Sequence, residues 1–168
     1  MLYLVEKRFK MGQFGNAIIL LAIFGCVMLT EGIQVRSCAN GVPPPAIVSI
    51  AGCSEMPCDF VRGVEGGTMT MVYEAPFDIK TLRYDRIIIA LGVTVPYPIL
   101  PEKENGCDWV IGSMCPFRQG DLIISTYTSS PLSIIPLVTA AIEFYVYDEQ
   151  DRMVTCFQYD VRILPNSV

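Results

Sequence analysis

The residues best suited to chemistry in this chain are its seven cysteines, because the sequence contains no histidine. A free thiolate is a nucleophile and a metal ligand, whereas cysteines in oxidising compartments form disulfides. One cysteine, Cys26, lies in an apolar segment near the N-terminus. The rest of the chain holds an even set, which predicts three disulfides without fixing the pairing: Cys38, Cys53, Cys58, Cys107, Cys115 and Cys156.

The ligands for a metal site are missing. Zinc is bound by cysteine and histidine at close, repeated spacings, and the chain has neither histidine nor a repeated Cys-x-x-Cys pair. The acids of residues 147–153, YDEQDRM, could suggest calcium, but this segment lacks the glycine and the distal glutamate of a calcium loop. We therefore predict no metal, and we expect residues 147–153 to form a solvated hairpin turn.

Catalytic groups are also scarce. Without histidine the chain lacks the commonest general base and any Ser-His or Cys-His nucleophile system. Three acids, Glu102, Glu104 and Asp108, follow a proline-rich segment, where we expect them to be solvated. The sequence therefore predicts a protein that is not an enzyme and has no cofactor.

Residues 1–32 have the features of a secretory signal peptide. Lys7, Arg8 and Lys10 precede the uncharged run 17–29, AIILLAIFGCVML. This run is shorter than the about 20 apolar residues that span a bilayer, which favours a signal peptide over a membrane anchor. The mature domain is then residues 33–168.

Removal of residues 1–32 makes the chain more acidic. It takes away three basic and two acidic residues and leaves nine basic and fifteen acidic ones, a formal charge of −6. No basic stripe remains that could bind nucleic acid or an anionic membrane surface. We predict neither of these partners, and we expect a monomer.

The mature chain has the pattern of an all-β sandwich. Short runs rich in Val, Ile, Thr, Tyr and Phe are separated by Gly, Pro and Asp clusters. The predicted strands are residues 46–50, 67–73, 84–94, 121–127, 137–147 and 153–163.

Three of these strands alternate between apolar and polar residues, so each should bury one face. The run 86–93, RIIIALGV, is apolar on both faces, which predicts a central strand without orienting it. The predicted inward faces are rich in aromatic residues and methionine, but periodicity does not distinguish a filled core from a hollow one. These faces carry Met69, Met71 and Tyr73; Val138, Ala140, Ile142, Phe144 and Val146; and Phe157, Tyr159, Val161 and Ile163.

An apolar proline loop, residues 92–101 (GVTVPYPILP), follows the central strand. This loop and the cysteines belong to an ordered set of motifs along the chain. Through these motifs the mature chain resembles the ML lipid-recognition domains, most closely their Niemann-Pick type C sterol-transfer branch. The resemblance covers nearly the whole mature domain. Its motifs are SCAN at Cys38, GCSEMPCDFVRG, GVTVPYPILPEKENGC, CPF and CFQYDVRI.

The resemblance implies a fold and a pairing. The fold is an immunoglobulin-like two-sheet β-sandwich with an apolar cavity between the sheets. The implied disulfides are Cys38–Cys156, Cys53–Cys58 and Cys107–Cys115.

The resemblance also implies where a ligand binds. One lip of the tunnel falls on Val95, Pro96, Tyr97 and Ile99, and the aromatic gate residue of the family falls on Tyr97. Proline cannot donate to a sheet ladder, so prolines would end the strand and stiffen this rim. The opposite lip falls on Pro131, Leu132 and Ile135, where an isoleucine replaces the tyrosine common in sterol carriers. The predicted interior ligand contacts are Met71, Tyr73, Phe144, Phe157 and Tyr159.

The implied function is a secreted carrier that binds and transfers a sterol, a fatty acid or a similar apolar lipid and passes it to a membrane acceptor protein. The alternatives are an innate-immune module that recognises a glycolipid and a chemosensory carrier. Lysosomal delivery in the family uses a glycan, and this chain has no Asn-x-Ser/Thr site; Asn105-Gly106-Cys107 is a rare variant. We therefore expect an extracellular protein rather than one of the lysosomal lumen.

Overall fold

The computed structural model describes residues 32–129 and 136–166, and the backbone there is mostly β. One helical turn, α1 (Pro101–Glu104), and one 3-10 turn (Gly106–Trp109) follow the proline loop. The strands are β1 (Arg36–Ser37), β2 (Ile47–Ile50), β3 (Cys58–Val61), β4 (Thr68–Glu74), β5 (Arg83–Ala90), β6 (Val93–Pro96), β7 (Leu122–Thr128), β8 (Thr139–Tyr147) and β9 (Met153–Leu164).

The larger sheet has the strand order β1-β9-β8-β5-β6. The long strand β9 pairs with β8 along one edge, while β1 and β3 share its other edge at successive positions. Only the β3–β9 pairing is parallel among these described pairs. The central position predicted for the run 86–93 is confirmed, because β5 lies between β8 and β6.

The smaller sheet has the antiparallel order β2-β4-β7. Its register places Met69 opposite both Ile50 and Tyr127, so three apolar side chains form a row across the sheet. The burial of β4 alternates as predicted, with Met69, Met71 and Tyr73 buried and the residues between them more exposed.

The two sheets face each other across one apolar core. The Tyr84 ring on β5 lies 5.9 Å from the Tyr127 ring on β7, and Tyr127 lies 5.1 Å from Phe144 on β8. Inward residues of both sheets belong to the same buried cluster. The predicted immunoglobulin-like two-sheet sandwich is confirmed.

The predicted strand 84–94 is wrong as a single element. It is a hairpin of β5 and β6, joined at Leu91 and Gly92, which both have positive φ (53° and 76°). The uninterrupted apolar run concealed this turn, because only Gly92 has a residue type typical of it. The strands β1 and β3 were also missed, since they are only two and four residues long and give no extended alternating pattern.

All three implied disulfides are present. Cys53–Cys58 and Cys107–Cys115 close short loops, whereas Cys38–Cys156 joins residues 118 positions apart. The last bond ties the segment after β1 to the middle of β9. Because Cys107 is bonded, the rare glycosylation variant at Asn105 has its cysteine engaged.

The hairpin turn predicted at residues 147–153 is confirmed, since it joins the antiparallel strands β8 and β9. The expectation that this turn is solvated is wrong for Asp148, which is buried. Its carboxylate accepts hydrogen bonds from the backbone N–H groups of Gln150 and Arg152 and pairs with the Arg152 guanidinium. Asp148 therefore stabilises the turn from a buried position, through these hydrogen bonds and this ion pair.

Within residues 32–129 and 136–166 no helix is long and apolar enough to cross a membrane. The apolar run 17–29 lies outside the described residues, and its assignment to a signal peptide stays a prediction.

Candidate functional site

The first predicted lip follows directly from the β5–β6 hairpin. Ile87 and Pro96 are the residue pair of β5 and β6 that lies farthest from the turn. Strand β6 ends at Pro96, as the prolines predict. Beyond it the chain turns inward: Tyr97 is half-buried and Ile99 is buried, whereas Val95 and Pro96 are exposed. The loop thus presents a half-buried tyrosine between an exposed strand end and the core.

Arg86 holds the backbone of this lip. Its Nε donates a hydrogen bond to the Tyr97 carbonyl at 3.2 Å, and the Tyr97 N–H donates to the Arg86 carbonyl at 3.4 Å. The Arg86 guanidinium carbon also lies 4.6 Å from the centroid of the Tyr97 ring. The backbone and the ring of Tyr97 are therefore both held by one residue, Arg86.

The second predicted lip, Pro131, Leu132 and Ile135, lies outside the described residues. The chain that leads to it is anchored by Ser129, a buried polar residue. The Ser129 hydroxyl accepts a hydrogen bond from Arg86 Nη1 at 3.0 Å, and its carbonyl accepts one from the Gly66 N–H. Arg86 therefore contacts both the first lip and Ser129, which precedes Pro131 by two positions in the sequence.

The predicted interior contacts all project between the sheets. Phe144, Phe157 and Tyr159 form part of a chain of aromatic rings whose neighbouring centroids lie 5.7 to 6.0 Å apart. Met71 and Tyr73 face them from the smaller sheet, and all five side chains are buried. Their position is compatible both with a packed core and with the wall of a cavity, so their role in ligand binding stays a prediction.

Two of the predicted ligand contacts, Tyr73 and Tyr159, have hydroxyl groups whose pKa is raised. Burial raises the pKa of Tyr73 to about 12, partly offset by its contact with the Ser125 hydroxyl at 3.3 Å. Burial also raises the pKa of Tyr159, while the positive charge of Arg86 acts to lower it. Both phenols are therefore neutral at physiological pH, and Tyr159 lies within the electrostatic field of Arg86.

Arg86 was not predicted from the sequence as a site residue. It lies on β5, where Tyr84, Arg86 and Ile88 alternate with less buried residues, and only 1% of Arg86 is exposed. Three consecutive isoleucines after it concealed the period of two that would have oriented the strand. Arg86 stands two residues after Tyr84 and therefore on the same face of the strand, and this spacing was the signal that could have oriented it.

A buried guanidinium without a counter-charge is costly. Removal of an ion from water costs several kcal/mol even after the protein relaxes. The Tyr97 and Tyr127 rings lie 4.6 and 5.6 Å from the guanidinium, and a cation–π contact returns about 0.5 to 2 kcal/mol. The rings therefore offset only part of the cost of burying Arg86.

Two open hollows of about 370 and 170 Å³ adjoin the loop of the Cys53–Cys58 disulfide. The larger one includes the ion pair between Asp59 and Arg162. Neither hollow contains a residue of the predicted lips or of the predicted interior contacts. They lie apart from the candidate site, and the apolar tunnel between the sheets stays a prediction.

The one group of metal-type side chains in the described ranges is Cys38, Glu143 and Cys156. Its two sulfur atoms form a disulfide, so they offer no thiolate to a metal ion. The group is a cross-link beside a carboxylate.

Comparisons with known proteins agree with this architecture. A crystal structure of a Niemann-Pick type C2 protein from the Japanese carpenter ant is 24% identical, with a TM-score of 0.66; the match covers 78% of this chain and 99% of that one. Chicken MD-1, complexed with lipid IVa, is 17% identical, with a TM-score of 0.50; the match covers 76% of this chain and 86% of that one. At these identities both structures show the fold alone. No curated protein sequence matches the chain significantly.

A family model, that of the ML domain, matches residues 32–163. This range includes both sheets, all three disulfides and the proline loop. The chain belongs to the ML-domain family.

Proposed function

We propose that this protein is a non-enzymatic carrier that binds a sterol, a fatty acid or a similar apolar lipid between its two sheets and transfers it. The observation that carries the proposal is the position of Tyr97, half-buried between an exposed strand end and the aromatic core. Membership of the ML family supports it, as does the MD-1 relative that was crystallised with a lipid.

Burial of the ligand supplies the driving force. Each CH₂ group removed from water contributes roughly 0.8 kcal/mol, less the cost of association. The predicted walls are Met71, Tyr73, Phe144, Phe157 and Tyr159, which offer apolar and aromatic surface. Pro131, Leu132 and Ile135 would complete the mouth opposite Val95, Pro96, Tyr97 and Ile99.

The disulfides support a site of action outside the cytosol. Three disulfides are typical of a protein in an extracellular or lumenal compartment, and with residues 1–32 as a signal peptide the carrier would be secreted. We expect it to act as a monomer and to deliver its lipid to a membrane acceptor protein.

The direct experiment is to titrate a fluorescent sterol and a fluorescent fatty acid into the purified, oxidised protein. Mass spectrometry of the same protein from its native source would identify copurified lipid. Saturable uptake of either probe supports the carrier. If neither probe binds and no lipid copurifies, the proposal is wrong.

A variant of the gate residue tests the site. Tyr97→Ala removes a ring from the mouth, and we expect lipid affinity to fall about tenfold, as for the loss of a well-packed aromatic contact. Tyr147→Ala is the matched control, because Arg83 covers the Tyr147 ring at 4.8 Å on the outer face of the same sheet. Equal losses in the two variants would place the site elsewhere.

The glycolipid alternative has less support. Phosphorylated glycolipids require several cations around the mouth. Lys103, the nearest lysine to the first lip in sequence, already pairs with Glu65 at 2.7 Å and donates to the Thr128 carbonyl. Uptake of lipopolysaccharide that weakens steeply with salt would favour this alternative over the carrier of simple lipids.

A further inference from the structure

The charge of Arg86 is permanent and is held inside the sandwich. A guanidinium stays protonated in proteins, and Arg86 is among the largest fully buried side chains. It projects from the inward face of β5 into a surrounding of tyrosine rings, with Tyr97 and Tyr127 within cation–π distance.

The hydrogen bonds of Arg86 leave one nitrogen unused. Nε donates to the Tyr97 carbonyl and Nη1 donates to the Ser129 hydroxyl. The buried Nη2, which carries two N–H groups, has no hydrogen-bond partner among the residues that the structure describes. Buried donors are satisfied in the great majority of cases, so this one requires an explanation.

No carboxylate of residues 32–129 or 136–166 forms an ion pair with Arg86. The neighbouring Asp85 alternates to the other face of β5, where its carboxylate accepts from the Arg86 backbone N–H. The segment that follows Ser129 has the sequence SPLSII and contains no acidic residue. The protein thus places a cation beside the predicted mouth without an ion-paired acid in the described ranges.

This arrangement has the chemistry of a head-group site. A guanidinium presents parallel N–H groups that match the two oxygens of a carboxylate, while the surrounding tyrosine, phenylalanine and methionine side chains match an alkyl chain. A phosphate would need further cations, and Lys103 is already engaged with Glu65.

We propose that Arg86 binds the carboxylate of a single-chain fatty acid, so that the protein selects an acidic amphiphile over a neutral sterol or alcohol. This rests on the proposed carrier function and specifies its ligand class. Nη2 donates to the carboxylate, and the alkyl chain lies against the inward faces of the two sheets.

The test compares three ligands that share a sixteen-carbon chain and differ in the head group, with cholesterol as the neutral sterol. Palmitic acid, hexadecanol, hexadecyl phosphate and cholesterol each compete for wild-type protein loaded with the fluorescent fatty acid cis-parinaric acid. We expect the acid to bind roughly 10- to 100-fold more tightly than the alcohol, the range for a hydrogen bond to a charged group. Equal affinities of acid and alcohol overturn the proposal, as does a preference for the phosphate.

Arg86→Gln removes the charge, and we expect it to abolish the preference for the acid over the alcohol, with Arg86→Lys retaining part of it. Arg83→Gln is the matched control: it lies three residues earlier on the same strand, faces solvent and pairs with Asp151, and it should keep the full preference. A preference that survives in folded Arg86→Gln overturns the assignment.

Two outcomes separate this inference from the carrier function. If wild-type protein binds cholesterol and hexadecanol as tightly as palmitic acid, the carrier stands and the head-group site falls. If it binds none of the ligands, the carrier itself falls. The wild-type comparison decides the matter even if Arg86→Gln does not fold.

Discussion

At the scale of single residues, two Arg–Tyr pairs show how position decides the role of a side chain. Arg83 covers Tyr147 at 4.8 Å, and Arg86 covers Tyr97 at 4.6 Å. They lie three residues apart on β5, so they project from opposite faces of the strand. Arg83 is partly exposed and pairs with Asp151, whereas Arg86 is buried without such an acid in the described ranges. Of these two arginines, only Arg86 is therefore a candidate to bind a charged ligand.

Asp148 permits a prediction at the same scale. Burial acts to raise the pKa of its carboxyl, but hydrogen bonds from the Arg152 and Gln150 N–H groups and the Arg152 guanidinium outweigh it and hold the pKa below its ordinary value. A pKa lowered by folding stabilises the protein at pH values above the unfolded pKa of about 4, and this stability is lost as the pH falls through the folded pKa. Asp148→Asn should therefore cost about 2 kcal/mol at neutral pH and progressively less in acid.

Urea unfolding of wild type and Asp148→Asn at several pH values measures this difference. Asp151→Asn, in the same turn, is the control, since its exposed ion pair with Arg83 should contribute little. A destabilisation by Asp148→Asn that is constant down to strongly acidic pH would contradict the account.

At the scale of elements, the β5–β6 hairpin determines where the first lip begins. Its two-residue turn requires positive φ at both positions, which glycine and asparagine tolerate and leucine does not. Leu91 nevertheless occupies the first position and is 82% exposed. The positive φ of Leu91 therefore strains the backbone of the hairpin. Because the Leu91 side chain is exposed, its burial does not offset this strain.

The strain predicts a stabilising substitution. Leu91→Asn should raise the free energy of unfolding by about 1 kcal/mol, because asparagine adopts the left-handed conformation at lower cost. Lipid uptake should not change, since Leu91 is not part of the proposed mouth. Val93→Asn, exposed on β6 in ordinary strand conformation, should instead be neutral or destabilising. A loss of stability in Leu91→Asn, measured by denaturant unfolding, would show that the leucine makes contacts that outweigh the strain.

At the scale of the whole molecule, the disulfides differ in what they constrain. Cys38–Cys156 closes a loop of more than a hundred residues and fixes the N-terminal segment to β9, whereas Cys53–Cys58 closes a loop of five. In a chain-entropy model the long closure contributes about 5 kcal/mol and the short one about 2 kcal/mol. The long bond should therefore contribute more to the stability of the sandwich than the short one.

The matching variants are Cys38→Ser/Cys156→Ser and Cys53→Ser/Cys58→Ser. We expect the first to lose substantially more stability in guanidinium unfolding than the second, and bound fatty acid to restore part of the loss through mass action. Equal losses would show that local packing, rather than closure of the chain, determines the contribution of each bond.

The sequence alone accounts for most of the architecture. Strands β4 and β8, and β9 from Phe157 onward, alternate between buried and more exposed residues, so these buried faces were predictable from the sequence. The resemblance of the cysteine motifs to those of the family implied all three disulfides. The hairpin at Leu91 and Gly92 was not predictable, because a two-residue turn inside an apolar run leaves almost no local signal.

The candidate site likewise contains residues that were predicted from the sequence and one, Arg86, that was not. Tyr97 and the interior aromatic residues were identified from a family motif and from periodicity, both of which are properties of the linear chain. Arg86 was not, because one basic residue before three isoleucines gives no indication of which face it occupies. Pairing of β5 with β8 and β6, and the packing of both sheets, decided that it faces inward. Burial, and the lack of an ion-paired acid among the residues that the structure describes, are properties of the folded surroundings, and they turn an ordinary arginine into a candidate binding group.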